Sequence, residues 1–136
     1  MSALARAALE LRDLVERFAS LSEGALRACT AGDTLALAGA LDARDLVSSR
    51  IATLAGQVGA LRSGLPQHER AAAESLLLPV QGAARHAATV NATLLKQAGA
   101  LRTLLGQQID LLRRDHEAAT AYHATPARVP GLDEVR

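Results

Sequence analysis

From Leu4 to Ala28 apolar side chains recur every seven residues in two rows set three apart: Leu4, Leu11, Phe18 and Ala25 on one, Ala7, Leu14, Leu21 and Ala28 on the other. A helix places positions three and seven apart on one face, so the pattern predicts a helix with a sustained apolar seam over about Ser2 to Thr30. Composition agrees. The 136 residues include 30 Ala and 24 Leu against 7 Val and 2 Ile, and Phe18 and Tyr122 are the sole aromatics. A β sandwich or barrel needs β-branched and aromatic side chains at alternate positions, whereas Ala and Leu favour helices. One all-α domain is the expectation at this length.

Local chemistry predicts the helix ends. Ser2 is placed to cap the first helix, Gly32 to end it in a left-handed conformation, and Asp33 to cap a second helix at once. So short a connection folds the second helix back antiparallel to the first. Its seam reads Val47, Ile51, Leu54, Val58, Leu61, Leu65. Continued upstream, that register puts Arg44 on the seam and leaves Leu37, Leu41 and Leu46 off it. Either the helix shifts phase there or Arg44 snorkels at the bundle end. Gly64 and Pro66 mark the next break, as a helix stop and a first-turn residue.

The third segment runs from about Gln67 to Ala121. Pro79 removes a backbone bond and is expected to kink or split it, leaving a short first piece and then one continuous helix. From Ala83 the seam reads Ala87, Asn91, Leu94, Ala98, Leu101, Leu105, Gln108, Leu112, with Asn91 as a register-setting polar residue. Some 40 helical residues span about 60 Å, against about 40 to 45 Å for each of the first two helices. The architecture expected is an all-α antiparallel three-helix bundle or coiled-coil-like hairpin with a long third helix, open to a kink at Pro79, and a disordered C-terminal tail. The helical domain is read as 1–121, followed by a flexible C-terminal tail over 122–136 because His123, Pro126, Pro130 and Gly131 oppose a helix.

Charge narrows the function. Fifteen basic residues against fourteen acidic ones give a net charge of +1, too little to draw a chain onto nucleic acid, and there is almost no aromatic surface for stacking bases. Arg113 and Arg114 are followed by Asp115 and Glu117, as on a solvated helix face. Charges at Arg6, Glu10, Arg12 and Asp13 break up any secretory signal, and the longest charge-free stretch, Ile51 to Leu61, falls short of the roughly 20 residues that span a bilayer. No membrane insertion is expected. The single Cys29 fits a reducing cytoplasm and reads as a small hydrophobe.

No phosphate-binding glycine loop, nucleophile elbow or zinc-ligand spacing is present. His68, His86, His116 and His123 read as surface histidines. Neither an enzyme nor a cofactor nor a metal site is expected. What stands out is apolar surface: Val90, Leu95, Leu104, Ile109 and Leu111 flank the third helix's seam where polar residues would suffice. They belong either to a wider core or homodimer seam, or to a groove for an amphipathic helix of another chain.

The chain resembles the FlgN-like chaperones of the bacterial flagellar type III export system. The likeness rests on Ala31-Gly32-Asp33 followed by Leu35, Leu37, Leu41, Arg44 and Leu46, on Val90-Asn91 with Leu94-Leu95 and the leucines after them, and on Tyr122 ahead of a short Pro/Gly tail. The resemblance implies a cytoplasmic chaperone that holds an amphipathic terminal segment of a hook-filament junction protein, prevents its premature assembly and delivers it to the export gate. It further implies Val90, Leu94, Leu95, Leu101, Leu104, Ile109 and Leu111 as client contacts and Tyr122 as the contact with an export-gate component. Alternatives are a chaperone of the filament cap protein, a coiled-coil adaptor or homodimer without a client, and an amphipathic coat of a lipid or polyester surface.

Overall fold

The structure, a computed structural model, describes residues 1–124. It is all-α: α1 is Ala3–Ala31, α2 is Thr34–Ser63, a 3-10 turn occupies Gln67–Glu69, and α3 is Arg70–Ala124. Two compact units follow from the contacts, Met1–Ala98 and Gly99–Arg136, with α3 contributing to both.

The first unit is a bundle of α1, α2 and the first half of α3. The Ser2 hydroxyl accepts from the Ala5 amide at 3.1 Å, and the Asp33 carboxylate accepts from the Ala36 amide at 3.0 Å. Between the two caps Gly32 sits at φ 71°, and the Asp33 amide returns to the Ala28 carbonyl at 2.9 Å, a Schellman ending. This two-residue joint makes α1 and α2 an antiparallel hairpin, clamped at its surface by Arg50 and Glu10 at 2.9 Å. At the other end Gly64 caps α2, as expected of a stop; Pro66, expected in the first turn of the next helix, instead precedes the 3-10 turn as its N-cap, and α3 starts only at Arg70. An ion pair of Arg62 with Glu74 joins α2 to the first turns of α3.

The core is built of small residues among leucines and valines. Leu4, Ala8, Leu11, Val15 and Ala19 of α1 pack with Leu54 and Val58 of α2 and with Ala73, Leu77 and Ala87 of α3. Small side chains at a contact bring helix axes toward the short end of the usual separation, about 8 Å. The first expected row, Leu4, Leu11, Phe18 and Ala25, is buried or half-buried. Of the second row Ala28 is buried, but Ala7, Leu14 and Leu21 are half-buried while their neighbours Ala8, Val15 and Ser22 are buried, a shift of one residue. A helix touching two neighbours needs a wider stripe than a two-stranded seam, and the shift supplies it. Of the seam expected in the second segment, Leu61 is exposed, whereas Leu65, just beyond the end of α2, is half-buried and packs against the core.

Arg44 remains in register, so of the two expectations for it, no phase shift is needed. Its Nη1 donates to Asn91 Oδ1 of α3 at 2.8 Å and to Ser22 Oγ of α1 at 3.4 Å, and its guanidinium lies 5.1 Å from the centroid of the Phe18 ring. Ser22 is fully buried. One side chain thereby ties all three helices together at a single level.

Pro79 does not split α3, contrary to the expected short first piece. The helix is continuous from Arg70. Proline forfeits only the bond to the Ser75 carbonyl, and Ser75 is exposed to water, while Ala73, Leu77 and Ala87 hold the segment on the core. α3 also runs three residues past Ala121, to Ala124. Tyr122, placed in the tail from sequence, is helical, since residues 122–124 contain no helix breaker and the first is Pro126. The rest of the expected tail, 125–136, lies outside the described residues.

Candidate partner-binding face

Within the second unit α3 is amphipathic. At about 100° per residue, Leu101, Leu104, Leu105, Ile109, Leu111 and Leu112 fall in a stripe about 160° wide. Arg102, Thr103, Asp110, Arg113, Arg114, Glu117 and Thr120 take the remaining arc. Such a division is the mark of a helix that buries one side, yet every described residue from Arg102 to Tyr122 is exposed. Leu104, Leu105, Ile109, Leu111 and Leu112 each keep between 48% and 68% of their surface accessible.

The residues named from sequence divide by unit. In the first, Leu94 is 3% exposed and belongs to the bundle core, which removes it from the contacts open to a partner; its register is that of Ala87 and Asn91, the face turned to α1 and α2. Val90 is half-buried beside it. Leu95 is 61% exposed and lies about 100° round the helix from Leu94. In the second unit Leu101 is half-buried, and Leu104, Ile109 and Leu111 stand exposed. Tyr122 is exposed in the last turns of α3.

Leu105 and Leu112 complete the stripe and were read from sequence as bundle seam. The seam and its flank merge because neither is covered here: Leu105, Gln108 and Leu112 are as exposed as the flanking leucines. The signal that would have found them is the comparison of helix lengths, 29 and 30 residues for α1 and α2 against 55 for α3.

The face can hold an apolar ridge; Gln108, Asp115 and His116 fall within its arc, and the arginines stand outside it. Among the described residues there is no grouping of three or more metal-ligating side chains, and no helix is long and apolar enough to cross a membrane. Comparison with models of known protein families, with characterised proteins and with solved structures finds no match to this chain.

Proposed function

We propose that the protein is a chaperone that holds an amphipathic helix of another protein against the stripe of α3 in the second unit. The observation carrying this reading is the exposure of Leu104, Leu105, Ile109, Leu111 and Leu112 on one face of a helix. Most helical stability in proteins comes from packing an amphipathic face, which this stretch of α3 does not do within the described residues. A client helix supplies that packing by a ridge at i, i+3, i+4 and i+7. The covered stripe also keeps the client's own apolar face from assembling too early.

The resemblance to the FlgN-like chaperones supplies the client and the setting: the terminal segment of a hook-filament junction protein, held in the cytoplasm and passed to the export gate, with Tyr122 at the gate contact. Leu101, Leu104, Ile109 and Leu111 are the client anchors; Val90, Leu94 and Leu95 are left to the bundle unit. Mixing the protein with a peptide from the C-terminus of a junction protein tests the reading. A one-to-one complex with a gain in helicity is expected, and Leu104→Glu with Ile109→Glu abolishes it while the bundle's melting temperature stays unchanged. No complex at high micromolar concentration contradicts the proposal.

A further inference from the structure

The margins of the stripe are not equivalent. Arg102 and Arg113 are eleven residues apart, three turns, and so share one edge about 16 Å long. Asp110 and Glu117 lie farther from the stripe on the same flank, about 60° and 40° round the helix beyond Arg113 and each about one turn along from it. Neither Arg102 nor Arg113 has an ion-pair partner among the described residues, although both belong to a segment with three arginines and three acidic residues. The other edge carries Gln107, Ala100 and Ala118, with no charge.

Charge placement bears on what can cover this face. A second copy in antiparallel pairing would set like edge against like edge, Arg102 and Arg113 of one chain facing Arg113 and Arg102 of the other. A parallel in-register pair would instead set Asp115, which lies within the stripe, against its own copy. Both arrangements place like charges in or beside a desolvating seam, and such pairs disfavour the complex. A membrane surface is no better served, because the segment's balanced charge gives anionic headgroups nothing to attract.

Resting on the docking reading above, we infer that the occupant of the stripe is an amphipathic helix of a different protein that carries an acidic edge, with two carboxylates about three turns apart set against Arg102 and Arg113. The leucines supply contact area and the two arginines select orientation and partner.

Two synthetic helical peptides with the same leucine ridge, differing only in Glu or Lys at two edge positions three turns apart, test this by fluorescence anisotropy. At about 10 mM salt, where charges interact over about 30 Å, the Glu peptide is expected to bind about five- to tenfold more tightly. The preference should shrink at about 1 M salt. Arg102→Glu with Arg113→Glu inverts it and Arg102→Gln with Arg113→Gln erases it, with helicity checked by circular dichroism in both. Equal affinities, a preference for Lys, or indifference to the arginine variants overturns the acidic edge. If both peptides then bind equally and Leu104→Glu with Ile109→Glu abolishes both, the docking reading survives alone; if neither binds at high micromolar concentration, docking itself fails. A stable dimer in light scattering that the peptides do not dissociate makes a second copy the occupant and overturns the inference.

Discussion

Arg44 of α2 reaches Asn91 of α3 at 2.8 Å, across 47 positions of sequence, and shares its guanidinium with Ser22 and the face of Phe18 on α1. A single polar level in an otherwise aliphatic bundle fixes helix register, because sliding any helix by one turn leaves the guanidinium facing aliphatic side chains. Ala and Leu seams interdigitate almost as well in neighbouring registers, so the bundle's uniqueness rests heavily on this level.

Asn91→Ala therefore costs about 1 to 3 kcal/mol, the penalty of leaving a half-buried donor unmet. Arg44→Met with Asn91→Leu together costs less than the separate losses added, and a double-mutant cycle in urea gives a coupling of at least about 0.5 kcal/mol. Additive losses would show that the contact contributes nothing.

Leu94 and Leu95 are neighbours with opposite surroundings, 3% and 61% exposed. Leu94→Ala lowers the unfolding free energy by about 2 to 5 kcal/mol, whereas Leu95→Ala stays within about 0.5 kcal/mol of the parent. Comparable losses would place Leu95 in a core.

The hairpin joint has a separate cost. Nothing lies within 4 Å of a Cβ added at Gly32, so Gly32→Ala is penalised by its φ of 71° alone, about 1 to 2 kcal/mol. Gly32→Asn costs less, because asparagine tolerates the left-handed region.

Pro79→Ala restores the amide that the Ser75 carbonyl lacks. Since the helix is already continuous there, the substitution should raise stability by about 1 to 3 kcal/mol, read as a higher midpoint in urea.

Sequence reading succeeded where structure is dictated locally. Ser2, Gly32, Asp33 and Gly64 act within one helical turn of themselves, and each lies where its chemistry predicts. It faltered where the answer depends on distant chain. Ala7 and Ala8 are equally apolar, so periodicity alone could not choose between rows, and the partner that meets buried Ser22, Arg44, arrives from another helix. Leu94 and Leu95 look alike until α1 and α2 are in place. The same holds for Leu105 and Leu112: their register is that of a seam, and only the absence of a covering helix turns them into surface.

Amide hydrogen exchange along α3, with and without a saturating acidic-edged amphipathic peptide, tests the central claim most directly. Free protein should protect amides around Leu77 to Leu94 and exchange those of 102–122 rapidly, and the peptide should slow the latter by at least about tenfold while leaving the former unchanged. Protection of 102–122 in the free protein equal to that around Leu94, or no added protection with peptide bound, would contradict a face kept open for a partner.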